Sequence, residues 1–214
     1  MKRLVSAFLA GAMALSLAAC GGSASTSTAA SSAAASASAA PASSAVADSD
    51  LAYLQSNGKM VIGYTVYEPM NYTDADGNFT GFDTELATAV CEKLGVEPEF
   101  VEINWDTKVV ELDAKSIDCI WNGMTLTAEV TSTMECSNAY CNNAQVVVVN
   151  KDVADKYQDV ESLKELNFAV ESGSAGEAAA TEAGLNYTAV LTQADALMEV
   201  SAGTSDACII DLLM

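Results

Sequence analysis

The sequence predicts an α/β fold built on a parallel sheet, and three observations carry that prediction. Segments with strand-like and helix-like hydrophobic periods alternate from residue 59 to residue 210. The loops between them are short, as strand–helix–strand units require. The strand candidates are apolar throughout, which suits strands covered by helices on both faces.

The elements follow in order. Lys59–Tyr64 is a short β run, and Asp74–Asn78 is a turn whose Asp and Gly residues supply the backbone angles. Phe82, Leu86, Ala89, Val90 and Leu94 recur at helical spacing, with Asp83 placed to cap the start and Gly95 to end the helix. Glu99–Ile103 is the second strand. A helix from Asp106 to about Lys115 turns Val109, Val110 and Leu112 inward. Ile117–Trp121 is the third strand, Thr127 starts a short helix, and Gln145–Val149 reads as a buried strand. A second unit follows: a short helix over Ser162–Leu166, a strand over Phe168–Val170, and a helix opened by Gly173-Ser174-Ala175-Gly176 that ends near Gly184. Then come a strand over Thr188–Leu191, a helix over Ala194–Ala202 closed by Gly203, and a last strand over Asp206–Ile210. No internal repeat is evident.

The first 20 residues read as an export signal. Lys2 and Arg3 form a basic start, and Leu4–Leu17 is an apolar run shorter than the roughly 20 residues of a membrane span. It ends in Leu17-Ala18-Ala19-Cys20, which resembles a bacterial lipobox with Cys20 as the lipidated residue. Residues 21–50 are a Ser/Ala/Thr-rich tract with no large apolar residue to build a core, expected to be a disordered tether. The closing run Cys208–Met214 is apolar with no stop signal, so the sequence reads as a fragment whose C-terminal part is missing.

Charge and cysteine usage exclude several classes. The formal charge is −20. Without the signal the chain has seven lysines, no arginine and 29 carboxylates, or −22. Binding to a phosphate backbone needs clustered Lys or Arg, so no nucleic-acid partner is expected. An acidic surface also repels anionic lipid, so the membrane link is expected through the lipid alone. There is no histidine, which removes the commonest general base and metal ligand. No metal site and no cofactor are expected. Apart from Cys20, five cysteines remain, an odd number with no CxxC spacing. Cys136 and Cys141 are spaced for a small-loop disulfide. Five free thiols is the other reading, and the one we favour.

Several strings, taken together and in order, resemble the family 3 bacterial extracellular solute-binding proteins, the polar-amino-acid receptors of ABC importers. They are Gly58–Gly63, Tyr67-Glu68-Pro69, Asp76-Gly77, Gly81-Phe82-Asp83 with Leu86-Ala87, Trp105-Asp106, Ile117-Asp118 and Asn122–Thr127. Ser137–Tyr140, Gln145–Val149, Gly173-Ser174 and Ser205–Asp211 continue the match. The resemblance implies two α/β lobes of the type II periplasmic-binding kind, with the ligand between them. Residues 51–144 would form part of lobe one. Residues 145–214 would form the hinge strand and an incomplete lobe two, with the return to lobe one missing.

The resemblance also implies a site. A zwitterion entering a cleft loses water from its ammonium and its carboxylate, so each must be paired again. Asp211 ends an apolar strand, where open α/β sheets place ligand-facing groups, and it matches the family's ammonium-binding position. Asn122, Gly123, Met124 and Thr125 lie just past a strand, with carbonyls and the Thr125 hydroxyl available to a ligand. Tyr67, Met70 and Trp105 match positions that wall the ligand side chain. Met70 stands where Phe is usual, which suggests a more adaptable wall. Gly173, Ser174 and Ala175 match the carboxylate-binding loop at a helix start. The departure is Val130, which stands where the family motif carries the Arg that clamps a ligand carboxylate. The ligand is therefore expected to be an amino acid or another amine-bearing molecule. The expected partners are that ligand and the permease and ATPase subunits of an importer. No catalytic residue is assigned. Two other classes are alternatives: the ligand-sensing domain of a signalling receptor, which would need a following membrane span, and a dehydratase-type enzyme on the same fold, which would need a placed acid or base.

Overall fold

The computed structural model describes residues 49–214. The export signal, Cys20 and nearly all of the Ser/Ala-rich tract lie outside the described residues. Two sheets organise what is described, each with its own helices.

The first lobe is centred on β1 (Lys59–Tyr64). This strand pairs in parallel with β4 (Glu97–Glu102) on one side and β5 (Cys119–Ile120) on the other. β5 is short, and Asp118 lengthens its pairing: its Oδ2 accepts from Val61 N at 2.8 Å, while its own N donates to Val61 O at 2.8 Å. Helix α1 (Asp50–Asn57) leads into β1 and stops at Gly58, whose φ of 73° favours glycine. A small hairpin of β2 (Tyr72–Thr73) and β3 (Phe79–Thr80) precedes helix α2 (Phe82–Leu94).

Helices α2 and α3 depart from the sequence expectation. Helix α2 buries Asp83, Thr84, Ala87 and Cys91, and leaves Phe82 exposed. The buried stripe is thus one residue out of phase with the predicted Phe82–Leu86–Val90 stripe, about 100° around the helix axis. Its cap is also different. Gly81 is the N-cap, with no side-chain cap bond, and Asp83 sits inside the helix. The carbonyls of Pro69 and Met70 instead accept from the N–H groups of Phe82, Asp83 and Thr84, so the preceding loop satisfies the helix start and fixes its rotation. The next helix opens as a 3-10 turn over Trp105–Thr107 and continues as α3 (Lys108–Asp113). Val110 is 65% exposed there, while Lys108 is buried. Of the three residues predicted to face inward, Val109 and Leu112 are half-buried and only Val110 turns out, while Lys108 finds partners inside, as described below. Helix α4 (Ala128–Thr133) starts where the sequence placed it, with the Thr127 hydroxyl accepting from Val130 N at 3.1 Å.

The second lobe has strand order β6-β9-β7-β8, for β6 (Gln145–Val149), β7 (Asn167–Glu171), β8 (Asn186–Val190) and β9 (Ala207–Asp211). The β7 pairings are parallel, whereas β6 enters antiparallel to β9. Period-two alternation sorts the apolar residues to two faces. Phe168, Val170, Ala207 and Ile209 pack with Leu163 of α5 (Val160–Leu163) and Ala180 of α6 (Ala175–Ala183). Ala169, Cys208 and Ile210 pack with Ala196 of α7 (Gln193–Ala202). This double cover is what the unbroken apolar runs predicted. Strand β6 departs from the prediction: it is an edge strand, half-buried, with Val147 40% exposed.

All five cysteines among the described residues are unpaired. Cys136 and Cys141 are not bridged, while Cys91 and Cys208 serve as small core residues. Among the described residues no group of three or more His, Cys, Asp or Glu could hold a metal ion. No described helix is long and apolar enough to cross a membrane.

Candidate ligand-binding cleft

Parallel strands deliver their carboxyl ends to one place. β5 runs into Asn122, β7 ends at Glu171 and β9 ends at Asp211. A cleft of about 680 Å³ lies there, with Trp105, Asn122 and Thr125 from the first lobe facing Glu171, Gly173 and Asp211 from the second. A second cavity, about 520 Å³, is confined to the first lobe beside β5 and the 134–143 segment and is mostly apolar. The cleft is the better candidate because it brings convergent polar groups from both sheets to one space.

Asp211 is held from three sides. Its Oδ2 accepts from Gln193 Nε2 at 2.6 Å, and its N–H donates to Gln193 Oε1 at 2.7 Å. Its Oδ1 accepts from Gln145 Nε2 at 2.5 Å and also from Asn143 Nδ2. Asn143 in turn donates to the Thr125 hydroxyl at 3.3 Å, tying the carboxylate to the loop after β5. Side-chain amides satisfy the carboxylate oxygens without supplying a countercharge, which leaves a ligand cation as the complementary partner.

The Asn122–Thr125 loop is fixed by Asn122, all of whose amide capacity is used. Its Oδ1 accepts from Thr65 N at 3.2 Å and Thr65 Oγ1 at 2.8 Å; its Nδ2 donates to Thr65 O at 2.9 Å and Asn71 Oδ1 at 2.8 Å. Gly123 has φ 59°, and a Cβ there would come within 3.1 Å of the Tyr67 ring. Tyr67 and Met70 are therefore packed beneath this turn; neither lines the cleft wall, unlike the other nine predicted site positions apart from Gly123, which borders the first-lobe cavity. The Tyr67 hydroxyl is buried without a partner among the described residues, and burial, with Asp211 second, pushes its acidity down. Asp83 lies just behind Gly123, fully buried, with neither oxygen in a hydrogen bond. Burial raises its carboxyl above the usual range; Tyr140 and the Gly123 backbone temper this without reaching hydrogen-bond geometry.

Trp105 is buried at the wall, and Lys108 Nζ lies 4.9 Å over its ring. The same ammonium donates to Trp105 O at 3.1 Å and, across the cleft, to Gly173 O at 2.8 Å. Burial lowers the Lys108 pKa, opposed by surrounding carboxylates, Glu129 foremost. Gly173 needs its lack of side chain: φ is 71°, and a Cβ would sit 2.9 Å from Asp106 Cα. Ser174 caps α6 by accepting from Glu177 N at 3.1 Å, while Gly173 N–H donates to Glu177 Oε2 at 2.7 Å. One donor on which an anion-binding loop would rely is thus taken by the chain's own carboxylate. Val130 also lines the cleft, as an apolar surface.

The sequence reading missed Glu171, Lys108, Gln193 and Asn143. Glu171 is 1% exposed, and its Oε1 has no partner. Burial, then the Asp211 charge, raises its carboxyl to about 8, against the opposing influence of Gln193, Thr65 and Lys108. In the unfolded chain this carboxyl titrates near 4.5. Its folded-state pKa is raised, so its contribution to stability is present in full below about pH 4.5 and is lost as pH rises towards 8. Glu171→Gln should remove that decline. Its stability relative to the parent chain should grow between pH 5 and pH 8, by an amount on the order of 3 kcal/mol, read by urea unfolding across that range.

A two-lobed α/β molecule with polar groups from both sheets converging on a cleft is a solute-binding architecture of the type II periplasmic kind. The chain belongs to the bacterial extracellular solute-binding proteins, family 3, whose family model matches residues 60–183. Among its relatives, the arginine-binding extracellular protein ArtP of Bacillus subtilis is 29% identical over 72% of this chain and 61% of its own length. The L-arginine-binding protein of Pseudomonas aeruginosa is 30% identical over 68% of this chain and 57% of its own. The L-cystine-binding protein TcyA of B. subtilis is 31% identical over 74% and 60%. The chain thus spans about 60% of the length of the curated relatives it matches. Among solved structures, the ancestral amino acid-binding protein AncCDT-1, a precursor of cyclohexadienyl dehydratase, superposes with a TM-score of 0.72 at 33% identity, covering 76% of this chain and 74% of that one. The arginine-bound form of truncated ArgBP from T. maritima also gives 0.72, at 30% identity over 76% and 77%.

Proposed function

We propose that this chain is the solute-binding component of an ABC importer, capturing an amino acid or another amine-bearing molecule between its lobes. The observation that carries this reading is Asp211, a carboxylate held at the end of β9 by Gln193 and Gln145 and facing the first lobe across the cleft. Such a group pairs with an ammonium that has shed its water. Trp105 supplies an aromatic wall for the rest of the ligand. The arginine and cystine named for its relatives support an amino compound. The protein would act outside the cytoplasm, held at the membrane by lipid on Cys20, and would hand its solute to a permease driven by an ATPase. It would do no chemistry itself.

A thermal-shift screen of the full chain against amino acids, diamines and short peptides tests this. At least one amino compound should raise the melting temperature by mass action. No shift with any of them, or turnover of one, contradicts it.

A further inference from the structure

The charges around the cleft are lopsided. Asp106, Glu129, Glu171, Glu177, Glu182 and Asp211 are set against one ammonium, Lys108, and that ammonium is spent on the carbonyls of Trp105 and Gly173. The usual hold on a ligand carboxylate is weakened at two points. Val130 presents methyl groups, and the Gly173 N–H is bonded to Glu177. Meanwhile Glu171, 1% exposed and lining the cleft, leaves Oε1 without a partner. A buried acceptor left unmatched is costly, and a donor arriving with the ligand would relieve that cost.

We propose that Glu171 is a second ligand-binding carboxylate, so that the cleft selects molecules with two cationic nitrogen groups, one on Asp211 and one on Glu171, and uses no carboxylate clamp. This rests on the reading of the cleft as the site for an amino compound. Basic amino acids and their decarboxylated diamine counterparts share the required chemistry, whereas neutral amino acids lack the second cation. The groups facing Glu171 are the Asp211 carboxylate from β9, the Lys108 ammonium from α3, the Gln193 amide from α7 and the Thr65 hydroxyl that follows β1. Burial and Asp211 keep Glu171 protonated over most of the neutral range. A ligand cation favours its ionised form, so binding releases a proton and tightens as pH rises through that range.

Titration calorimetry of the full chain with arginine, agmatine and glutamine, in two buffers of different ionisation enthalpy at pH 7, tests this. Agmatine should bind as tightly as arginine, within about threefold, and both at least tenfold tighter than glutamine, with release of a proton. Glu171→Gln should weaken both dications at least tenfold and abolish proton release. A charge-free polar residue that merely held the fold would not move that last readout. Glutamine binding as tightly as agmatine, arginine exceeding agmatine tenfold, or unchanged affinities in Glu171→Gln would each overturn the assignment while leaving the cleft an amino-compound site. Binding of none of the three by the parent chain would overturn both readings.

Discussion

Replacing Asp211 with Ala should weaken solute binding by roughly 100-fold or more, a loss on the order of 3 kcal/mol. The size follows from the surroundings of the carboxylate. Asp211 is 8% exposed, and three amides fix its two oxygens. A ligand cation entering the cleft loses its water, and Asp211 is the carboxylate that the strand end presents to it. Removing Asp211 leaves that cation desolvated and without a partner, which costs more than the pair itself contributes. The same change strands the amides of Gln193, Gln145 and Asn143, so some local stability goes as well. Asp211→Asn separates the two effects. It preserves the shape and part of the amide network, and should still lose most of the affinity because the charge is gone. Calorimetry gives the affinities, and urea unfolding shows whether the fold survives.

Gly81→Ala should be the most damaging small substitution in the first lobe, at about 4 kcal/mol or more. Two costs coincide. The φ of Gly81 is 125°, a conformation L side chains rarely adopt, and a Cβ would lie 2.2 Å from Met70 O and 2.9 Å from Pro69 O. Those carbonyls are the ones that accept the first N–H groups of α2. Relief of the clash therefore breaks the start of the helix that covers β1, and Met70 and Tyr67 beneath the Gly123 turn move with it. Gly58→Ala is the control. Its φ of 73° is also left-handed, but a Cβ there meets nothing within 4 Å. It should cost only about 1–2 kcal/mol, the backbone penalty alone. Urea midpoints of the two variants should differ accordingly.

The strands of the second lobe were legible because burial on both faces leaves one pattern, an unbroken apolar run, in β7 and β9. The caps at Thr127 and Ser174 were legible because a hydroxyl before a helix has a local job. The face of α2 was not. What rotates that helix is the pair of carbonyls at Pro69 and Met70, and no periodicity within α2 encodes them. Asp211 and the turn at Asn122–Thr125 could be picked out because they close strands or sit just past them, and Trp105 only through the family resemblance. Glu171 closes β7 in the same way, yet a single glutamate after Phe168-Ala169-Val170 looks like the solvated end of a strand. Its burial comes from β9 and α7, which bring Asp211 and Gln193 beside it and leave no mark on the local sequence. Lys108 was missed for the opposite reason: a lysine in a short helix is usually solvated, and its partner, the Gly173 carbonyl, lies 65 residues away.

The cleft between the two sheets is the proposed seat of the amino compound. Trp105 lines that cleft, and Trp121 does not. The chain has two tryptophans, so Trp121→Phe leaves Trp105 as the sole indole reporter. Titrating arginine into that variant should change the Trp105 emission saturably with one site per chain, and the change should disappear in the double variant with Asp211→Asn. Saturable binding measured by calorimetry without any response from Trp105 would put the solute elsewhere and contradict the account.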